Sequence, residues 1–178
     1  SGQEVSVSKR VVFACRSEAR EGRPTPSPID VCTRIRDRVR RVETRADAKE
    51  ILIECTGATE AEAPIDPEDL DLVADHLLDN ALKYTPEVGT IQVRVGLEDG
   101  AVVVRVSDSG MGFDPDQSER LFDRFYRSSG AEQSADGGGL GLSIVKAIVE
   151  RYGGTVRAES PGSSQGSTFY VRLPRDRE

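Results

Sequence analysis

Residues 136–146 read Asp-Gly-Gly-Gly-Leu-Gly-Leu-Ser-Ile-Val-Lys. Glycines at 137, 138, 139 and 141 let the backbone take positive φ and approach a ligand closely, and the apolar run that follows has helical spacing. A glycine-rich turn feeding a helix offers unpaired N–H groups and the positive end of the macrodipole, so an anion such as phosphate is the natural guest. The stretch is not a Walker loop, because no Gly-Lys-Ser/Thr follows, nor the dinucleotide fingerprint, because Leu142 stands where the third glycine belongs. Alone, it fits a flexible loop before a buried helix equally well.

Working outward, the spacing predicts a helix over 140–152, stopped by Gly153-Gly154, then a strand over 155–159, a loop through Gly166 and a last strand over 167–173. Upstream, 113–139 is long, polar and glycine-bearing, with local helix expected only around 117–125. A loop of that length inside a compact domain is functional or mobile. Before it, 90–97 and 101–107 alternate with β-branched residues on either side of Glu98-Asp99-Gly100, the pattern of a hairpin. Asp66-Pro67-Glu68 opens a helix, with Asp66 as N-cap and Pro67 at the first helical position. Leu70, Val73, Leu77, Ala81 and Tyr84 form its apolar face, and Pro86 ends it near Tyr84. A strand at 51–53 and a short extended piece at 63–65 precede it. Val31, Ile35, Val39 and Val42 mark another helix reaching about Ala48, whose arginines between Arg34 and Arg45 read as a solvated face. The expected whole is an α/β two-layer sandwich, a mixed sheet covered on one face by helices.

The N-terminal part differs. Ser1 and Gly2 read as a tag scar, and Val11, Val12, Cys15 and Ala19 predict a short helix over 9–21. Pro24, Pro26 and Pro28 make a stiff, extended linker. The expected division is an appendage and linker over 1–27 and a main domain over 28–178. A net charge of −7 on 178 residues argues against a nucleic-acid partner. Cys15, Cys32 and Cys55 are far apart and the chain has one histidine, so neither zinc site nor disulfide framework is supported, and a reduced, cytoplasmic setting is expected. No apolar run has the length of a membrane span, so no membrane contact is expected from this segment.

Two further stretches carry chemistry. In the 67–84 helix, Asn80 borders the apolar stripe, with His76 one turn before it and Lys83 nearly one turn after. An amide oxygen and an ammonium beside a buried face suit a magnesium-bound polyphosphate, since magnesium prefers oxygen ligands and keeps several waters. Ordinary helix-surface polarity is the other reading. Asp108-Ser109-Gly110-Met111-Gly112 places a carboxylate at a strand end before a sharp turn. An acceptor-only group can select a donor such as the exocyclic amine of adenine, or it can simply close an Asx-turn.

In this order and spacing, Asn80 in Asp-Asn-Ala-Leu-Lys-Tyr-Thr-Pro, Asp108-x-Gly-x-Gly, Phe122-Asp-Arg-Phe-Tyr-Arg and Gly137-x-Gly-Leu-Gly-Leu resemble the N, first glycine, F and second glycine boxes of sensor histidine kinases. The resemblance covers about residues 28–174. It implies the Bergerat ATP-binding fold shared with gyrase-type ATPases, mismatch-repair ATPases and heat-shock chaperones. By that similarity Asn80 holds Mg2+, Lys83 reaches the phosphates of ATP and Tyr84 packs beside the base. Asp108 accepts the adenine amine, while Gly110 and Gly112 shape the pocket and hinge a lid over 113–139. Phe122 and Phe125 anchor that lid and Arg127 is a phosphate contact. Gly137, Gly139, Leu140 and Gly141 close over the phosphates, Thr168 in Gly-Ser-Thr-Phe lies near the adenine, and Leu142 and Ile144 belong to the core.

The pattern departs from the family in two places. His76 occupies the first N-box position, often asparagine, and no His-Glu-x-x-Thr/Asn-Pro phosphoacceptor motif is present. Residues 9–24 are similar to the tail of the second dimerisation helix of these kinases. The resemblance therefore implies the catalytic ATP-binding half of a two-component kinase, monomeric in isolation, with no catalytic nucleophile of its own. It would serve the dimerisation and phosphoacceptor domain of the same receptor and, indirectly, a response regulator, the parent being anchored in the plasma membrane. A stand-alone serine kinase of the anti-sigma type and a non-catalytic nucleotide-sensing module are the alternatives on the same fold.

Overall fold

Alternation of apolar and polar residues decides which face of each strand is buried, and here it builds one sheet with a single apolar side. The computed structural model describes residues 24–124, 126 and 141–176. The helix expected over 9–21 and most of the long loop lie outside these residues. In chain order the elements are β1 (Pro28–Asp30), α1 (Val31–Ala48), β2 (Leu52–Gly57), β3 (Glu62–Pro64), α2 (Pro67–Tyr84), β4 (Thr90–Glu98), β5 (Ala101–Asp108), α3 (Gly141–Arg151), β6 (Thr155–Glu159) and β7 (Ser167–Pro174).

Five strands form the main sheet in the order β2-β4-β5-β7-β6, while β1 and β3 make a separate antiparallel pair. β2 runs parallel to β4 and the remaining neighbours are antiparallel. β4 and β5 are joined by the expected tight hairpin, with positive φ at Asp99 and Gly100. Register aligns Val93 with Val106 and Val106 with Phe169, and these belong to one core with Ile35 of α1, Leu70, Val73 and Leu77 of α2, and Val145 and Ile148 of α3. The opposite face carries Gln92, Arg94, Arg105 and Tyr170, so the helices cover one side only, as expected. Leu142 and Ile144 pack against the core without being fully buried.

Local readings diverge from the structure in three places. The arginines of α1 are not a simply solvated face. Arg34 pairs with Asp71 through two bonds of 2.7 Å, Arg38 with Asp75 at 2.8 Å, and Arg45 with Asp79. Cations at 34, 38 and 45 meet acids at 71, 75 and 79, so the two helices run side by side in the same direction, stapled by charges that each recur along one helix face. Asp66 occupies the N-cap position of α2 but its side chain makes no cap hydrogen bond; its backbone N–H instead donates to the Tyr152 hydroxyl at 3.4 Å. Of the local helix expected around 117–125, the described residues 117–124 hold no α-helix; two short 3-10 turns stand at Pro115–Gln117 and Arg120–Phe122.

Polar contacts fix α2 at both of its ends. The Tyr152 hydroxyl donates to the buried carboxylate of Asp69, and Arg151 approaches the same oxygen at 3.4 Å, which ties the first turn of α2 to the end of α3. Burial, reinforced by Asp69, pushes the Tyr152 phenol well above its ordinary pKa. At the other end of α2, Lys49 Nζ donates to the carbonyl oxygens of Leu82 at 2.7 Å and Thr85 at 2.6 Å, an ammonium cap on the negative pole of the helix.

Candidate functional site

The inner face of β5 runs Val102, Val104, Val106 and then Asp108, so the carboxylate stands where alternation calls for another apolar residue. Burial raises its pKa above the ordinary aspartate value, against the pull of its hydrogen bonds. The Ser167 hydroxyl donates to Oδ2 at 2.8 Å and the Gly110 N–H to Oδ1 at 2.9 Å. A carboxylate offers about four acceptor positions, so the Ser167 hydroxyl and backbone and the Gly110 N–H leave room for an outside donor.

The turn after Asp108 is clamped from two sides. The Met111 N–H donates to the Tyr84 carbonyl at 3.1 Å, tying the turn to the C-terminus of α2. A Cβ on Gly110 would lie 2.4 Å from that carbonyl, so no other residue lets the turn approach the helix so closely. Gly112 has φ +61°, and a Cβ there would meet the Gly162 carbonyl at 2.3 Å. On the far side the hydroxyl of the buried Ser160 accepts from the Phe113 N–H at 3.1 Å and donates to the Gly166 carbonyl at 2.7 Å. Ser160 thereby fastens the start of the long loop to the β6–β7 connection. Phe113 and Phe122 both pack on Phe169, with ring centroids 6.5 Å and 6.3 Å from it.

Asn80, His76 and Tyr84 are all half-buried and four residues apart along α2, while Lys83 is exposed with Nζ 5.3 Å from the Tyr84 ring. His76 reaches the start of α3: its Nδ1 lies 3.4 Å from where a Cβ on Gly141 would stand. A continuous line of residues thus runs from Gly141 through His76, Asn80 and Tyr84 to Gly110, Asp108 and Ser167. It joins the first turn of α3, the flank of α2 and the ends of β5 and β7.

Of the residues singled out in the sequence, the structure brings together Asn80, Lys83, Tyr84, Asp108, Gly110, Gly112 and Gly141. Phe125, Arg127, Gly137, Gly139 and Leu140 lie outside the described residues. Thr168 is not brought to Asp108. It pairs with Ser107 in the β5–β7 register, and its hydroxyl lies 3.0 Å from that of Ser107 on the outer face of the sheet. Ser167 occupies the inner position. Strand parity carries the signal for this correction, because Phe169, Val171 and Leu173 are all buried and residue 167 shares their side. Lys49 and Ser160 are further site-supporting residues that no motif marks.

The donor set suits a purine nucleotide and a hard cation. A buried acceptor meets an amine, and a helix start in contact with α2 meets phosphate. One amide oxygen with phosphate oxygens suits magnesium, and among the described residues no cluster of three His, Cys, Asp or Glu side chains offers a competing site.

Comparison with known proteins agrees with this geometry. The family model described as histidine kinase-, DNA gyrase B- and HSP90-like ATPase matches residues 65–177. SenX3 of Mycobacterium tuberculosis, a sensor-like histidine kinase, is 32% identical over 161 residues, which cover 89% of this chain and 39% of that protein. The solved structure of the mycobacterial sensor histidine kinase MprB superposes with a TM-score of 0.75 at 32% identity, covering 83% of this chain and 97% of that one. Full-length ShkA, solved in complex with AMPPNP, gives a TM-score of 0.80 at 27% identity, over 97% of this chain and 36% of that one. The chain spans well under half the length of the curated relatives it matches, 28% and 39% in two cases.

Proposed function

Since the chain belongs to the histidine kinase-, DNA gyrase B- and HSP90-like ATPase family, we propose that it is the ATP-binding catalytic domain of a two-component sensor histidine kinase. The observation that carries this reading is the half-buried Asp108 carboxylate, held by Ser167 and Gly110 at the end of an otherwise apolar strand face and tied through the Met111–Tyr84 bond to the helix that bears Asn80. Burying a charge at that point costs stability, and a recognition role explains its presence.

In this reading Asp108 accepts the adenine amine and Tyr84 lies beside the base. Lys83 and the first turn of α3 at Gly141 attract the phosphates, and Asn80 supplies an oxygen to Mg2+. Magnesium, when bound, neutralises charge on the phosphates. Arg127, Gly137, Gly139 and Leu140 would complete the phosphate side from the lid, and Thr168 is replaced by Ser167 beside the adenine. His76, the single histidine, stands against Gly141 on the nucleotide helix and is no acceptor. The γ-phosphoryl group therefore passes to an imidazole nitrogen of a phosphoacceptor domain, leaving ADP, and from there to a response regulator. Positioning and charge stabilisation dominate phosphoryl transfer, so a domain without a nucleophile can supply the nucleotide half. The parent receptor is membrane-anchored in this proposal; no helix among the described residues is long and apolar enough to cross a membrane.

The test is incubation with γ-labelled ATP, alone and with a separately expressed dimerisation and phosphoacceptor domain from the same gene. The chain alone is expected to bind ATP and stay unlabelled, with acid-labile label appearing on the added domain. Label on the chain itself, or acid-stable label on a serine, would overturn the reading.

A further inference from the structure

The outer face of the sheet, away from the nucleotide pocket, holds a row of like charges. Register sets Arg94 of β4 directly opposite Arg105 of β5, Arg105 opposite Tyr170 of β7, and Tyr170 opposite Arg157 of β6. One residue from each of four adjacent strands thus forms an Arg-Arg-Tyr-Arg line across the sheet, about 14 Å long at the ordinary strand spacing. Like charges set directly opposite on neighbouring strands are destabilising, and nothing in the core calls for arginine at these solvent-facing positions.

The row is also pre-ordered. The guanidinium carbons of Arg157 and Arg105 stand 4.2 Å and 5.4 Å from the Tyr170 ring centroid, one on each side in the register. The Tyr170 hydroxyl donates to Glu159 at 3.0 Å, fixing the ring. Arg105 pairs with Glu98 and Arg157 with Glu159, yet their side chains remain 39% and 62% exposed, so their outer N–H groups face solvent. Arg94 is exposed and makes no ion pair among the described residues. Holding long cationic side chains in place before binding lowers the entropy cost of a contact, and arginine and tyrosine are the residues on which interface energy concentrates.

We propose that this outer face docks a protein segment rich in aspartate and glutamate, whose carboxylates meet the forked N–H groups of Arg94, Arg105 and Arg157 across Tyr170. Guanidinium groups pair with carboxylates in two-bond geometry, and the surplus of positive charge on this face of a chain with net charge −7 gives the complementarity. The chain's own residues 1–27 have the wrong sign for this role. They carry Lys9, Arg10, Arg16, Arg20 and Arg23 against Glu4, Glu18 and Glu21. A nucleic acid is disfavoured because its dense charge extends beyond the patch, where the rest of the chain repels it.

The experiment titrates the intact chain into a fluorescein-labelled oligoglutamate peptide of roughly eight residues, long enough to cross the row, and follows anisotropy at low and physiological salt. An oligothymidylate of equal charge serves as comparison. The peptide is expected to bind, more weakly as salt rises and more tightly than the oligothymidylate. The triple variant Arg94→Gln/Arg105→Gln/Arg157→Gln should lose about tenfold or more in affinity while keeping ATP binding and melting temperature, and Arg40→Gln/Arg41→Gln on α1 should lose nothing. If the triple variant fails to fold, Arg94→Gln alone, which touches neither Tyr170 nor a glutamate, should still lose roughly threefold. Absence of peptide binding by the intact chain, equal binding by a folded triple variant or by Arg94→Gln, or tighter binding of the oligothymidylate would each overturn the proposal.

Discussion

Asp108 is the residue at which stability and function pull apart. Its pKa is raised in the folded state by burial, so the folded chain holds that proton more firmly than the unfolded chain does. The stabilising contribution of the protonated form is full below the unfolded value of about 3.9 and is lost as pH rises through the higher folded value. At neutral pH the carboxylate is therefore a burden, and Asp108→Asn is expected to melt no lower than the parent while losing measurable ATP binding by calorimetry. In the parent, ATP affinity should decline on acidification at a higher pH than the titration of an ordinary aspartate would give. A second comparison separates the two hydroxyls of β7: Ser167→Ala should weaken ATP binding by roughly 2 kcal/mol, the worth of one hydrogen bond to a charged group, whereas Thr168→Val should leave it unchanged. The carboxylate was legible in the sequence because a charged residue at a strand end before two glycines is conspicuous. Its partner was not read from the Gly-Ser-Thr-Phe wording, although the period of two in the strand distinguishes Ser167 from Thr168.

The elements that carry the site are held by contacts a motif search passes over. Three arginine–aspartate pairs and Lys49 align α1 with α2, and Lys49 caps the same turn whose Tyr84 carbonyl receives the Met111 N–H. Arg38→Ala should cost about 1 kcal/mol, because the side chain is only 14% exposed, but its main partner Asp75 is 40% exposed to water and Asp71 keeps Arg34. Lys49→Met should cost a similar amount in a urea melt and also weaken ATP binding, since it frees the end of α2 that positions Tyr84 and the 108–112 turn. Nucleotide affinity unchanged in a stably folded Lys49→Met chain would show that the cap serves α2 alone. Helix and strand positions were legible from periodicity, because burial of one face imposes it. The arginine ladder was not, because a run of charges on a helix looks the same whether it faces water or a second charged helix. Only the helical spacing of cations at 34, 38 and 45, four and seven residues apart, and of acids at 71, 75 and 79, four residues apart, hints at the pairing.

At the scale of the whole molecule, the site is assembled at one end of the sheet from β5 and β7, which meet only through distant contacts, together with α2 and α3, and ligand binding is linked to global stability. Saturating Mg-ATP should raise the melting temperature of the parent by the linkage energy, about 2.7 kcal/mol at a hundredfold excess over Kd, and should leave Asp108→Asn unmoved in a scanning calorimeter. The layered architecture was legible because the order of helical and alternating segments admits few packings. The parallel pairing of β2 with β4 and the placement of β7 between β5 and β6 were not, since both depend on contacts far apart in the chain. The bond from Ser167 to Asp108 spans 59 residues. β5 meets β4 through a tight turn, but it meets β7 only after the long loop, α3 and β6 have been laid down, and such distant contacts carry a loop-closure cost before they repay it. The Asp108 carboxylate is thus among the last groups to acquire its native partner. A chain still leaving the ribosome, or cut short before Ser167, would have its central hairpin and α2 yet leave Asp108 without the hydroxyl that holds it, so the site becomes a late checkpoint on the folding of the sheet.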